Sequence, residues 1–161
     1  MRKTLILLML GLWGNAVWAG PAPEQNKLVA RRVFEEIFNQ GKFAEADEIY
    51  AQDFVNHGLH RNIDLREDQD AARGWKLAFP DRKITVVQEV AEGDLVTVLW
   101  ASTGTNTGEG NGFPATGKKM QARGITIWRI VNRKITEEWS EFDRLGPMQQ
   151  LGLVPADTKQ N

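Results

Sequence analysis

The chain has 161 residues, and its 20 Lys and Arg against 21 Asp and Glu give a formal net charge of −1 at pH 7. This balance gives no electrostatic indication of a nucleic acid or of an acidic partner. The sequence contains no cysteine, which excludes a disulfide framework, a thiolate nucleophile and a cysteine-ligated metal site. Hydrophobic residues make up 42% and charged residues 25%, as is typical of one globular domain.

Residues 1–19 have the pattern of a secretory signal peptide. A short basic start precedes an apolar run from Leu5 to Leu12, and the branched residue Val17 is followed two positions later by Ala19, where cleavage is expected. The apolar run is interrupted by glycine and falls short of the roughly 20 residues that a membrane-spanning helix needs. We therefore expect a periplasmic or secreted protein without membrane contact after cleavage.

The rest of the chain is predicted to be one domain at 27–155, with flexible segments at 20–26 and 156–161. Apolar residues from Leu28 to Phe38 recur at helical spacing, and Gly41 ends this helix. A short second helix leads into an extended segment at 53–56. Asp64 and Glu67 resemble a capping box that opens a third helix, which ends before Pro80.

From Lys83 onward the hydrophobic period changes from about 3.6 to 2, which indicates strands. The Gly-Asp and Asn-Arg pairs at 93–94 and 132–133 suit tight hairpins. A last short helix is predicted at 144–151. Helices first and a meander afterwards indicate an α+β fold, with helices packed on one face of a curved antiparallel sheet. The four predicted strands are Ile84 to Val90, Leu95 to Thr105, Lys118 to Val131, and Lys134 to Phe142.

The segment 104–117 is rich in glycine and is predicted to be a long flexible loop. Residues Gly112 to Lys119 at its end nearly match the phosphate-binding loop motif. They differ from it at Lys119, where the motif has the Ser or Thr that would hold magnesium. A strand pattern follows where that motif requires a helix N-terminus. The sequence therefore argues against nucleotide binding.

His57 and His60 are the only histidines. They could serve as acid/base groups at a pocket rim, since the pKa of histidine suits neutral pH. They could also be loop residues bonded to the backbone. As a metal pair they lack a third ligand at local spacing.

The stretch from Ile135 to Asp143 is the richest in functional side chains. On a strand, Glu137, Trp139, Glu141 and Asp143 share one face, and Glu138, Ser140 and Phe142 share the other. Asp143 stands where the last strand ends and the last helix begins. It could be a desolvated general acid or base, or it could simply cap the helix.

Aromatic residues are numerous enough to fill a core and also to line an apolar cavity. Arg123 alternates with isoleucines on the third strand, and on that face it would need an acidic partner or an anionic ligand. The residues predicted to contact a substrate are Phe54, Asn56, His60, Trp75, Trp100, Arg123, Trp128 and Trp139.

Several motifs, in this order, resemble the SnoaL-like polyketide cyclase, or ester cyclase, branch of the nuclear transport factor 2-like superfamily. The resemblance covers nearly all of the chain after the leader. The motifs are Asp53-Phe54-Val55-Asn56-His57, Phe79-Pro80-Asp81, Gly104-Thr105-Asn106-Thr107-Gly108, Pro114 to Lys119, Gly124 to Arg129, Lys134 to Trp139 with Asp143, and Leu145 to Gly152.

This resemblance implies a cone-shaped α+β fold with an apolar cavity, a homodimer or larger oligomer packed through the sheet, and no cofactor. It implies an acid/base role for Asp143 and a place near the pocket for His57. Two residues depart from the family pattern: Leu99 stands where an arginine is common, and Asn106 where a histidine is common. Both changes predict a more apolar cavity that is less able to stabilise an oxyanion.

The leading hypothesis is therefore a cofactor-independent enzyme that removes a proton α to a carbonyl of a small hydrophobic compound. Asp143 would be the base, and His57 or His60 would relay the proton. The alternatives are a non-catalytic exported module that binds a hydrophobic molecule, and an assembly domain whose sheet surface carries the function.

Overall fold

The computed structural model describes residues 22–156. The predicted signal peptide and the end of the tail lie outside these residues. Residues 22–156 contain four α-helices, and the first continues as a π-helix at Val33–Asn39. Within the described chain no helix is long and apolar enough to cross a membrane. The helices are α1 at Ala22–Arg32, α2 at Ala46–Ile49, α3 at Leu65–Ala78 and α4 at Leu145–Leu151.

In the described part of the chain, six strands form one sheet in the order β2-β1-β6-β5-β4-β3. Strands β4 and β6 have the bounds that the sequence predicts, and β3 and β5 differ from the prediction by one or two residues. The two predicted hairpins are also confirmed, with positive φ at Gly93 in one turn and at Asn132 and Arg133 in the other. The strands are β1 at Tyr50–His57, β2 at Asn62–Ile63, β3 at Lys83–Glu92, β4 at Leu95–Thr105, β5 at Lys119–Val131 and β6 at Lys134–Phe142.

The α+β class is confirmed, but the sheet is not wholly antiparallel. Strand β1 pairs with β6 in parallel, with Asn56 opposite Glu138. The chain reaches this arrangement because α3 and the β3–β5 meander separate the two strands in sequence, so β1 can join the exposed edge of β6 in either direction. The pairing brings the end of β1 beside the centre of β6, which positions the site described below.

The main core lies between the first helix and the concave face of the sheet. Val33 and Ile37 of the π-helix, Ile49, and Val96 and Val98 of β4 are each fully buried. The Phe34 ring contacts the Trp128 ring at a centroid distance of 5.2 Å. Asp64 caps α3 by accepting a hydrogen bond from the Glu67 amide at 2.9 Å, whereas the Glu67 carboxylate pairs with Arg61, so only half of the predicted capping box forms.

The glycine-rich segment between β4 and β5 is held in place by Asn106, which is fully buried. Its side-chain nitrogen donates to the carbonyls of Ala78 and Gly108 at 3.1 and 3.0 Å. Its side-chain oxygen accepts from the amide and the hydroxyl of Thr116. Close backbone approach of Gly108 and Gly110 to α3, where a Cβ would meet a carbonyl oxygen at 2.1 Å, explains the glycines. The hydrogen bonds of Asn106 therefore restrain the segment that the sequence predicts to be a flexible loop.

Candidate active site

A cavity of about 370 Å³ lies between the concave face of the sheet, the π-helix at Val33–Asn39 and helix α3. Aromatic rings make up much of its wall, but the wall also carries two acids and two arginines. The exposed residues Gly58 and Arg144 on this wall mark its open side. The polar residues that line it are Tyr50, Asn56, Asp68, Arg82, Thr126, Glu138, Ser140 and Arg144.

Helix α3 places Asp68 in the cavity. Ala71, Ala72 and Trp75 follow Asp68 by three, four and seven residues, so the four side chains share one face of the helix. All four line the cavity. The small alanines leave room between the carboxylate and the indole, and Asp68 is thereby held beside the sheet rather than in solvent.

Strand β6 places Glu138 opposite Asp68. The Nδ2 atom of Asn56 donates to Asp68 Oδ1 at 2.9 Å and to Glu138 Oε1 at 3.2 Å, and so bridges the two acids. The indole Nε1 of Trp128 donates to Glu138 Oε2 at 2.7 Å. Gln69 donates to the second oxygen of Asp68 at 3.3 Å. Both carboxyl groups are thus fixed in orientation.

Burial and mutual repulsion change the protonation of this pair. Burial, and second the charge of Asp68, raise the pKa of Glu138 to about 8. Burial also raises the pKa of Asp68, while hydrogen bonds from Asn56 and Gln69 oppose that shift. Two nearby carboxyl groups in a poorly solvated site cannot both ionise easily. At neutral pH the pair therefore holds one proton, which we place on Glu138.

Tyr50 lies in the same end of the cavity and is 2% exposed. Burial, followed by the charges of Asp68 and Glu138, raises the pKa of its phenol well above the usual value. The phenol therefore stays neutral and is a hydrogen-bond donor at any physiological pH.

A row of hydrogen-bonded side chains crosses the concave face of the sheet from β4 to β6. Trp100 Nε1 donates to Thr126 Oγ1 at 3.0 Å, and the hydroxyls of Thr126 and Ser140 are 2.8 Å apart. These hydrogen bonds give partners to the Trp100 indole N–H and to the hydroxyls of Thr126 and Ser140, which would otherwise be unpaired beside the aromatic side chains of the cavity.

His57 and Trp139, predicted at the pocket, lie instead on the outer face of the sheet. Their rings stack at 4.5 Å with an interplanar angle of 9°. His57 Nε2 is 2.8 Å from Glu137 Oε2, and Arg129 bonds both Glu137 and Asp94 at 2.7 Å. Side chains alternate between faces along a strand, so Glu137 and Trp139 face away from the cavity because Glu138 faces into it. The division of β6 into two faces is confirmed, but the predicted substrate contact Trp139 lies on the face that points away from the cavity.

Asp143 is exposed and does not line the cavity. Its Oδ1 atom accepts a hydrogen bond from the Gly146 amide at 2.9 Å, at the start of α4. This is the capping role that the sequence left open. Arg123 is exposed on the same outer side, where it borders a shallow groove with Leu99 and Asp143, and it has no buried acidic partner among residues 22–156.

The remaining predicted contact residues divide into two groups. His60 is exposed, and Phe54 packs in the core, with its ring 4.9 Å from that of Tyr50. Asn56, Trp75, Trp100 and Trp128 lie on the cavity wall. No group of three or more His, Asp or Glu side chains in the described range is arranged to hold a metal ion.

Sequence reasoning missed Asp68, Glu138, Tyr50 and Arg82. Asp68 lies in a run of charged residues, which is typical of a solvent-exposed helix face. A usable signal was its spacing from Ala72 and Trp75, which places it on the apolar face of α3. For Glu138, the signal was its alternation with Ser140 and Phe142.

Comparisons with known proteins agree with this architecture. The model of the SnoaL-like polyketide cyclase family matches residues 28–151. The aklanonic acid methyl ester cyclase DnrD of Streptomyces peucetius is 34% identical over 133 residues, which cover 80% of this chain and 90% of DnrD. DauD of Streptomyces sp. strain C5, with the same activity in its name, is also 34% identical, over 80% of this chain and 81% of DauD.

Solved structures show the same fold. IdmH of Streptomyces antibioticus, a candidate polyketide cyclase, has 26% identity and a TM-score of 0.70, over 80% of this chain and 99% of IdmH. AclR of Streptomyces galilaeus, a candidate hydroxylase, has a TM-score of 0.78 at 22% identity, over 86% of this chain and 87% of AclR; at that identity the likeness concerns the fold alone.

The curled mixed sheet packed against helices, with a short C-terminal helix, is a nuclear transport factor 2-like α+β fold. Within that class, the chain belongs to the SnoaL-like polyketide cyclase family.

Proposed function

We propose that the protein is an acid/base enzyme that removes a proton α to a carbonyl group, with Asp68 and Glu138 as its catalytic pair. The observation that carries this proposal is the bridging of the two acids by Asn56 inside the cavity. The environment gives one carboxyl group a proton to donate and leaves the other able to accept one. Such a difference between neighbouring acids is what general acid/base catalysis needs.

In the proposed reaction, ionised Asp68 takes the α-proton and protonated Glu138 donates to the carbonyl oxygen as negative charge develops there. The enol formed then attacks a second carbonyl of the same molecule, forming a carbon–carbon bond and closing a ring. The new alkoxide takes the proton that Asp68 received, and Glu138 recovers its own. Substrate and product are isomers, so the step needs no further reactant.

The substrate class follows from the wall and from the relatives. Aromatic side chains on both sides of the cavity suit a flat apolar body. The curated relatives are named for the cyclisation of aklanonic acid methyl ester. We extend to this chain the class of reaction, ring closure of a small polyketide-like carbonyl compound.

The experiment that tests the proposal follows exchange of α-protons by NMR in D₂O, with 4-oxo-4-phenylbutanoate, a stable aryl ketone, as the probe. Asp68→Asn and Glu138→Gln should each lower the enzyme-dependent exchange rate by about 10²-fold or more. Glu141→Gln, on the exposed face of the same strand, is the matched control and should exchange at the wild-type rate. Equal rates in all four proteins would overturn the assignment.

A binding module without catalysis is the second candidate, and one observation favours it. All four carboxyl oxygens of Asp68 and Glu138 already accept hydrogen bonds from protein groups. If the probe binds in the cavity and no protein-dependent exchange occurs, this second function replaces the first.

We also propose that the protein is exported after cleavage behind Ala19, on the pattern of residues 1–19. N-terminal sequencing of the protein from its native host should begin at Gly20, and an N-terminus at Met1 would contradict export.

A homodimer packed through the sheet is a further proposal. It is supported by the exposed apolar side chains Val87 and Val90 of β3 and Ile125 of β5. Sedimentation equilibrium should give twice the chain mass, and a monomer would contradict it.

A further inference from the structure

Arg82 is a buried cation in the wall of the cavity, and the proposed chemistry does not use it. It follows α3 and precedes β3, and it is 9% exposed. Its Nε atom donates to Ser102 Oγ at 2.9 Å. Its guanidinium carbon lies 5.0 Å from the centroid of the Trp75 ring and 5.4 Å from that of the Phe38 ring. The guanidinium therefore has three partners: the Ser102 hydroxyl and the rings of Trp75 and Phe38.

The Nη1 side of the guanidinium has no partner among residues 22–156. The Nη1 atom is buried and has no hydrogen-bond partner, and Arg82 forms no ion pair with any acid of residues 22–156. Burial alone lowers the pKa of Arg82, to about 10, so the side chain is still charged at neutral pH. A buried charge with an unused donor is unfavourable for folding, and such departures from stable packing concentrate at functional sites.

The position of Arg82 relative to the acids defines the ligand it would hold. Asp68 and Trp75 are two turns apart on α3, which is about 10 Å at 1.5 Å per residue. Arg82 lies against Trp75, and therefore at the other end of the cavity from the acid pair. Arg144 on the open side is a second cation of the wall. Since the acids share one proton, positive charge exceeds negative charge on the wall.

We propose that Arg82 binds a carboxylate of the ligand, so that the substrate is an apolar keto acid and not a neutral ketone. A guanidinium presents N–H donors in a plane that matches a carboxylate. The rings of Trp75 and Phe38 beside the guanidinium would contact the apolar body of the ligand next to its carboxylate. This inference rests on the proposed function for the reacting end of the ligand, and it adds the group that anchors the other end.

The test compares the binding of 4-oxo-4-phenylbutanoate with that of its primary amide by isothermal titration calorimetry. The wild-type protein should bind the acid at least about tenfold more tightly than the amide. Arg82→Gln should abolish that preference, Arg82→Lys should keep part of it, and the control Arg66→Gln, on the exposed side of α3, should keep all of it. Equal binding of acid and amide by the wild-type protein overturns the inference, and so does failure of the acid to bind.

The wild-type comparison does not depend on the folding of any variant. The exchange experiment separates this inference from the proposed function. Binding of the acid through Arg82 without α-proton exchange would overturn the enzyme proposal and leave the carboxylate site standing. Exchange of acid and amide at equal rates, unchanged in Arg82→Gln, would overturn the carboxylate site and leave the enzyme standing.

Discussion

Asp68 and Glu138 accept hydrogen bonds from the same atom, Nδ2 of Asn56, although one acid lies on a helix and the other on a strand. The parallel pairing of β1 with β6 makes this possible, because it sets Asn56 directly opposite Glu138. A single amide group thus holds together two acids that would otherwise repel each other.

The first prediction is a bell-shaped pH dependence of the α-proton exchange rate. The active form has Asp68 ionised and Glu138 protonated. Exchange should therefore fall as pH rises through about 8, the pKa of Glu138, and fall again on the acid side, at a pH above the usual aspartate range because burial raises the pKa of Asp68. A rate that rises monotonically with pH would show that no protonated group is required.

The second prediction concerns stability. The pKa of Glu138 is raised from 4.5 to about 8 on folding, so the folded protein binds more protons than the unfolded chain between these values. Stability from this group is therefore present below about pH 4.5 and is lost as pH rises through about 8. The Glu138→Gln variant should gain free energy of unfolding relative to wild type as pH increases across this window, as measured by urea denaturation. A difference that is constant with pH would contradict the raised pKa.

The third prediction separates the two roles weighed for Asp143. Asp143→Ala should lose about 1 kcal/mol of stability, because the Gly146 amide loses its acceptor. Asp143→Asn should restore most of that loss, since the amide oxygen can accept the same bond. Both variants should keep the wild-type exchange rate. A large loss of exchange in Asp143→Asn, with stability intact, would return the catalytic role to Asp143.

The fourth prediction tests the hydrogen-bonded row under the cavity. Thr126→Val removes the acceptor of the Trp100 indole, which is 4% exposed, and should cost about 1–3 kcal/mol. Thr97→Val, on the opposite face of β4, is the matched control and should change stability by less than about 0.5 kcal/mol. Equal losses of stability in Thr126→Val and Thr97→Val, measured by urea denaturation, would mean that these hydrogen bonds do not specifically stabilise the protein.

The sequence was sufficient for the fold class and for strands β3 to β6, and it was insufficient for the parallel pairing of β1 and for the site. Strand bounds and the Asp64 cap follow from local patterns, such as period-2 alternation and side-chain capping of an amide. The site depends on the register between β1 and β6, which are distant in the chain and whose pairing shifts between Tyr50 and Val55. Local alternation gave the two faces of β6 but could not say which one meets the helices.

Arg82 is a second case in which the pattern of one strand was insufficient, here for the charge inside the cavity. The absence of an arginine at Leu99 predicted a more apolar cavity, yet a cation reaches the cavity from the turn after α3. The pattern of a single strand carries no information about a side chain that enters the wall from another element. The half-buried Leu99 lies in the outer groove beside Arg123, which explains why its identity does not determine the charge inside the cavity.

The most direct measurement of the central claim is a ¹³C NMR titration of the Glu138 side-chain carboxyl, assigned by comparison with Glu138→Gln. We expect a midpoint near 8 in the wild-type protein and a lower midpoint in Asp68→Asn, where burial remains but the neighbouring charge is gone. A midpoint near the ordinary glutamate value of about 4.5 would contradict this expectation, because the pair would then hold no proton to donate at neutral pH.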